Sequence, residues 1–332
     1  MTTELLRDKI EVIFNYGGNK MEILIILAII IIIALIGAYI CYHITFKRKT
    51  FGPDDPKNGL DRPEYAPFIP KIHYMIDKLV QMPYEEVKIK SRDGLTLCGR
   101  YYHKIDGAPI MVKVHGYNGC PVRDFCGGGV ESIDKEYNVL LIDQRAHENS
   151  GGKTTTFGIK EKNDVVCWCK YLVKRFGKNT KILLYGISMG AATVLMASAH
   201  KKLPKNVKGV VADCSYSSPK DIIIKVATED MHLPGKLAFP LIKLGARVFG
   251  HFNLTSDSPV KAVKKTKLPL LLIHGMADSF VPYQMSEKIY EAAAPEDKKL
   301  VLFEGAYHGI SYMNNEKVYI GELRSFMERI FK

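Results

Sequence analysis

Hydrophobic residues fall along this chain in three textures, and each predicts a different kind of element. The first is an unbroken apolar run from Ile23 to Ile40, preceded by Lys20 and Glu22 and followed by Lys47, Arg48 and Lys49. It has no polar face, and it is long enough to cross a bilayer as a helix. A cleaved signal peptide would have a shorter apolar stretch and a small-x-small cleavage site. Neither is present, and Ala38-Tyr39-Ile40 before Cys41 lacks the small residue that a lipoprotein cysteine needs just ahead of it. The run is read as an uncleaved transmembrane helix over 23–42, after an N-terminal flank of 1–22. Arg7, Lys9 and Lys20 lie before the span and Lys47, Arg48, Lys49 and Lys57 after it. The positive-inside rule therefore leans toward a cytoplasmic domain downstream.

The second texture, from 43 to 83, is broken by Gly52-Pro53, Pro56, Pro63, Pro67 and Pro70. Such punctuation blocks long regular elements. It reads as a juxtamembrane linker with a short helix over Ile72 to Leu79. The third texture begins at Tyr84 and continues to 332. Glu86 to Lys90 and Leu95 to Tyr102 flank Asp93-Gly94, a hairpin turn pair. Six further strand-like runs follow: Ile110–Val114, Val139–Ile142, Lys181–Tyr185, Val207–Ala212, Leu268–Ile273 and Leu300–Phe303. Helical segments such as Lys160–Phe176 and Gln284–Ala294 alternate with them. Continuous apolar strands alternating with helices predict an α/β fold, a mostly parallel central sheet covered by helices on both faces. Ligands of such sheets bind at the carboxyl ends of the strands.

The alternation lapses between Ser215 and Lys264. The insertion, about 216–262, contains the apolar, helix-like segment Leu233–Phe249, with Lys236, Lys243 and Arg247 on one side. It reads either as a small helical cap over the strand ends or as an ordinary surface helix. The formal charge of +12 raises the question of nucleic acid, but the Lys and Arg residues are scattered among acids with no basic stripe interleaved with aromatics. A surface near anionic lipid fits better, and no nucleic-acid partner is expected. Seven irregularly spaced cysteines form neither a disulfide framework nor a zinc pattern, and Cys167 and Cys169 would point to different faces of a helix. Gly127-Gly128-Gly129 lacks the Gly-Lys-Ser/Thr that makes a phosphate-cradling loop. No metal site and no cofactor are expected.

Chemistry concentrates at Gly186-Ile187-Ser188-Met189-Gly190, directly behind the strand Lys181–Tyr185 and ahead of the helix-favouring run Ala191–Ala199. A serine on such a strand-to-helix turn is a nucleophile elbow, whose strained backbone requires small residues two before and two after it. A serine needs a base to take its proton, and the base needs an acid to fix its tautomer. The strand Leu268–Ile273 runs into a loop carrying Asp278, and Leu300–Phe303 runs into one carrying His308. A turn residue and a loop residue are the plain alternatives. The order Ser188, Asp278, His308 is that of the α/β-hydrolase triad. Asp213, after the strand Val207–Ala212, is a fallback acid, and His115, His147 and His274 are assigned to loop hydrogen bonding.

On these residues, 84–332 resembles an α/β-hydrolase of the serine-hydrolase superfamily, similar to the serine-aminopeptidase-like and cinnamoyl-esterase-like branch. The resemblance implies that Ser188 is the nucleophile, His308 the general base and then acid, and Asp278 its orienting partner. It also implies an oxyanion hole made by the backbone N–H groups of Met189 and of Tyr117, in the loop His115-Gly-Tyr-Asn-Gly119. Asp143-Gln-Arg-Ala-His-Glu-Asn-Ser150 is similar to the Asp-x-Arg-x-His-Gly-x-Ser loop of the family, with Glu148 in place of the glycine. The expected function is a membrane-anchored serine esterase or thioesterase acting on a small-molecule, acylated or lipid-like substrate. A serine peptidase, for which Lys236, Lys243 and Arg247 would hold a peptide terminus, and a non-catalytic membrane-tethered interaction module are the alternatives.

Overall fold

The computed structural model describes residues 3–48, 55–127 and 137–332, with side chains in the first helix from Lys20 onward. Gly128 and Gly129 of the glycine run, Lys49 of the basic flank and Gly52-Pro53 of the linker lie outside the described residues. Helix α1, Thr3–Thr45, contains the whole apolar run. Among the described residues it is the helix long and apolar enough to cross a membrane. Ile23, Leu24, Ile29 and Ile33 on it are each more than half exposed. Large apolar side chains so exposed on every side are at home in hydrocarbon rather than water.

All eight expected strands form one sheet. They are β1 Glu85–Lys90, β2 Thr96–Tyr102, β3 Ile110–Val114, β4 Asn138–Ile142, β5 Ile182–Ile187, β6 Val207–Asp213, β7 Leu270–Gly275 and β8 Lys298–Phe303. Their order is β1-β2-β4-β3-β5-β6-β7-β8. The β1–β2 and β2–β4 pairs are antiparallel and the rest parallel. The helices after α1 are α2 Ile69–Gln81, α3 Pro121–Asp124, α4 Glu161–Phe176, α5 Met189–Ser198, α6 Pro219–Lys225, α7 Gly235–Val248, α8 Pro259–Val263, α9 Gln284–Ala292, α10 Ser311–Asn314 and α11 Glu316–Phe331. The period-2 alternation of β3 shows how the layers are made. Ile110, Val112 and Val114 face one layer with Trp168 and Leu172 of α4, Leu195 of α5 and Ile289 of α9. Met111 faces the other with Ile76 of α2 and Leu323 and Phe326 of α11.

The structure differs from the expected organisation of 23–83 in two places. The stretch 43–83 is more than a linker, because α2 buries Ile72, Ile76 and Leu79 in the second layer at i, i+4 and i+7 spacing. Prolines set where elements start there, with Pro70 at the second position of α2, and do not prevent packing. Helix α1 also does not end at 42. It runs on to Thr45, and its last turns dock on the cap helix α7. Ala38, Tyr42 and Phe46 are buried. A β-carbon on Gly245 of α7 would collide with the Ala38 carbonyl, so glycine is what lets the two backbones approach. The Phe46 ring meets Phe157 at 5.8 Å and Phe252 at 5.3 Å, both edge-on. The Tyr42 and Thr154 hydroxyls are 2.7 Å apart, and the Arg48 guanidinium donates to the Ser150 carbonyl at 2.9 Å.

Candidate active site

The turn between β5 and α5 is as strained as the small residues around it imply. Ser188 has φ 55° and ψ −117°, a conformation that costs of order 1–3 kcal/mol and persists only where packing over-determines it. Packing does so here. A β-carbon on Gly186 would strike the Gly190 carbonyl, and one on Gly190 would strike that of Val114. The Ser188 N–H donates to the Asp213 carbonyl at 2.8 Å, tying the elbow to β6.

The structure brings Asp278 and His308 to this serine. Ser188 Oγ lies 3.0 Å from His308 Nε2, and His308 Nδ1 lies 2.7 Å from Asp278 Oδ2. Since Asp278 can only accept, the proton of the neutral ring sits on Nδ1, leaving Nε2 to accept from the serine hydroxyl. Asp278 is buried, and its Oδ1 accepts the backbone N–H groups of Phe280 at 3.0 Å and Val281 at 2.8 Å. Burial works against its charge, yet the His308 and His274 rings, through their charge and the hydrogen bonds they donate, hold the carboxyl well below the usual carboxylate range. Asp213, the fallback acid, is not joined to His308. Its Oδ2 accepts the Tyr319 hydroxyl at 2.8 Å, and burial pushes the carboxyl up to about 6.

Met189 is the first residue of α5, where an N–H has no carbonyl one turn earlier to bond. Tyr117 borders both cavities that meet at Ser188. The amides on either side of it are used inside the protein: Gly116 donates to Asp124 Oδ2 at 2.7 Å and Asn118 to His147 Nε2 at 3.2 Å. The His115 and His147 rings make loop hydrogen bonds, His115 Nε2 accepting from the Gln144 N–H at 3.0 Å. In the loop after β4, Glu148 adopts φ 44°. The turn that usually takes glycine is thus kept by an L-residue in the left-handed region. Arg145 beside it is held by Asp164 and Asp93.

Two residues of the site escaped the reading of the sequence. His274 is more than a loop residue. Its Nε2 faces two acceptors, Asp278 Oδ2 at 3.2 Å and the Val281 carbonyl at 2.8 Å, so it carries a proton and supports the acid. Tyr65, from the presumed linker, donates its hydroxyl to the His308 carbonyl at 3.1 Å. No local pattern marks either, although His274 four residues before Asp278 at a strand end is a usable cue.

Ser188 sits between two cavities. One, of about 330 Å³, is mixed in character and includes Arg62, Tyr65, Asp124, Asp213 and Tyr312 in its lining. The other, of about 300 Å³, lies under the cap and is walled by apolar side chains including Phe157, Tyr216, Ile223, Ala238 and Ile242. The inserted segment is therefore a cap and not a surface helix remote from the strand ends. Lys236, Lys243 and Arg247 are exposed, and none of them lines either cavity.

A family model described as alpha/beta hydrolase fold matches residues 109–236, and one described as serine aminopeptidase, S33, matches residues 241–316. The Bacillus subtilis (strain 168) protein YqkD is 26% identical over 312 residues, covering 94% of this chain and 98% of its own. Among solved structures, the Pyrococcus furiosus esterase Pf2001 superposes with a TM-score of 0.61 at 23% identity, over 77% of this chain and 94% of that one. Est1E from Butyrivibrio proteoclasticus, with ferulic acid bound, superposes with a TM-score of 0.56 at 19% identity, over 74% and 99%. With this sheet order, a serine on the turn after its fifth strand and these likenesses, the chain has the α/β-hydrolase fold.

Proposed function

We propose that the chain is a membrane-anchored serine hydrolase that cleaves carboxylic esters or thioesters through an acyl-enzyme. The observation that carries this reading is the unbroken hydrogen-bond line from Ser188 Oγ through His308 to Asp278. Ser188 Oγ attacks the acyl carbonyl while His308 Nε2 takes its proton. The Asp278 carboxylate stabilises the imidazolium that results. The oxyanion is met by the N–H groups of Met189 and Tyr117, each such donor being worth about 10²–10³ in rate. His308 then passes its proton to the departing alcohol or thiol, and a water activated by the same ring releases the acid and restores Ser188.

An apolar cavity at the nucleophile favours an acyl chain, and two structurally similar proteins are named as esterase or carry a bound aromatic acid. The serine aminopeptidase match favours a peptidase as the second reading. Against it, the cap cations that would hold a peptide terminus lie outside both cavities. Anchoring is supported by the lipid-like exposure of α1, and the basic residues after the span favour a cytoplasmic catalytic domain.

The test is labelling with a fluorophosphonate probe, followed by turnover of p-nitrophenyl esters against aminoacyl amides. Labelling of the full chain that disappears in Ser188→Ala supports the enzyme. A folded protein that takes no label points to the binding-module alternative, and amide turnover exceeding ester turnover points to the peptidase.

A further inference from the structure

Resting on that hydrolase reading, we infer that the last turns of the membrane helix form one wall of the acyl pocket, and that the acyl chain of a membrane lipid enters it from the bilayer, between α1 and residues 231–238 of the cap. The juxtaposition is direct. Cys41, Ile44 and Thr45 of α1 line the same apolar cavity as Ser188 and Met189. Positions i, i+3 and i+4 share one face of a helix. The neighbouring stripe, Ala38, Tyr42 and Phe46, is the one that grips the cap and core. The helix is thus held by one stripe so that the next is presented to the cavity. Tyr117 fixes the depth of this contact, because its hydroxyl donates to the Thr45 carbonyl at 3.1 Å.

The rim of the cavity shows where it opens. Ile44, Met231 and Leu233 all line it, yet remain 50%, 45% and 46% exposed. Leu237, on the outer surface of the cap beside them in sequence, is 77% exposed. An opening toward water carries polar side chains, as the other cavity does with Arg62, Asn118 and Arg123. A rim of half-exposed aliphatic groups on a helix of bilayer-spanning length belongs at the membrane surface instead. Ile44 lies one turn before Lys47 and Arg48. That places the mouth where hydrocarbon gives way to headgroups, the depth at which the ester bonds of acyl lipids sit. The occupant is therefore a fatty acyl chain delivered by the membrane, its carbonyl reaching Ser188 as the chain fills the space between α1 and the cap.

The test uses the full chain in lipid nanodiscs. Ile44→Trp and Cys41→Phe fill the cavity from the anchor side, and Ile36→Trp, on the exposed part of α1, is the control. In both cavity variants the ratio of kcat/KM for a hexadecanoyl ester to that for a butanoyl ester falls about tenfold or more, and in the control it does not move. An unchanged ratio in both cavity variants overturns the proposal. A second measurement needs no variant: a fluorophosphonate with a photoactivatable long alkyl chain, attached at Ser188, crosslinks to the peptide containing Cys41 to Thr45. Crosslinks confined to other segments overturn it. Absence of fluorophosphonate labelling in the unaltered chain instead refutes the hydrolase reading itself.

Discussion

Replacing Asp278 by asparagine tests the acid more sharply than deleting it. The carboxylate accepts on both oxygens: Oδ2 from His308 at 2.7 Å and His274 at 3.2 Å, and Oδ1 from the amides of Phe280 and Val281. An asparagine fits the same space but must point its NH₂ at one of these donor pairs. Facing two backbone N–H groups that cannot move, it would leave buried donors opposed, at about 1–3 kcal/mol for each. Facing the rings is therefore the cheaper choice, since a neutral imidazole can move its proton. His308 then carries that proton on Nε2 and can no longer accept from Ser188. A wrong-tautomer base of this kind lowers kcat by about 10⁴, or roughly 5 kcal/mol of transition-state stabilisation. Asp213→Asn leaves this relay intact, because Asp213 bonds Tyr319 and not His308. The assay is butanoyl ester turnover at neutral pH, with circular dichroism to confirm folding. A folded Asp278→Asn within about tenfold of the parent kcat refutes the assignment, and collapse in Asp213→Asn alone would transfer the role.

Three further outcomes are expected. Phe46→Ala removes a fully buried ring packed between Phe157 and Phe252 and costs about 3–5 kcal/mol, read as a lower thermal unfolding midpoint of the full chain. Asp143 is buried and its carboxyl is pushed up to about 7 by burial. A raised carboxylate pKa means that the folded state holds the proton more tightly, so stability declines as pH rises from about 4 to about 7, by a few kcal/mol at most. Urea midpoints across that window should decline less steeply in Asp143→Asn than in the parent, the remaining decline coming from other buried carboxyls such as Asp213. His274→Phe removes a donor to Asp278 without touching Ser188 and should lower kcat by about 10–100-fold with little change in KM, by analogy with other outer-shell supports; an unchanged kcat contradicts the support role.

Most of the sheet was legible because its strands are buried on both faces, which writes a continuous apolar run into the sequence wherever a strand occurs. The elbow was legible for a steric reason: Gly186 and Gly190 face carbonyls that leave no space for a β-carbon. Asp278 and His308 could be read because loops at strand ends are fixed by the sheet. What stayed hidden depends on packing between segments distant in sequence. Tyr65 reaches His308 across 243 positions, and nothing in the proline-rich stretch around it signals that contact. The docking of α1 on α7 was equally silent. A helix apolar all round has no periodicity to mark the stripe that packs on the cap.

The close crossing at Gly245 has a practical consequence. Cutting the chain after Phe46 to obtain a freely soluble protein would strip Ala38 and Tyr42 from Gly245 and Phe249 of the cap region and leave the Phe46 niche beside Phe157 and Phe252 unfilled. That trough would be greasy and newly wet, a template for self-association. Helix α1 and the α/β body meet along a seam with no clean place to divide them.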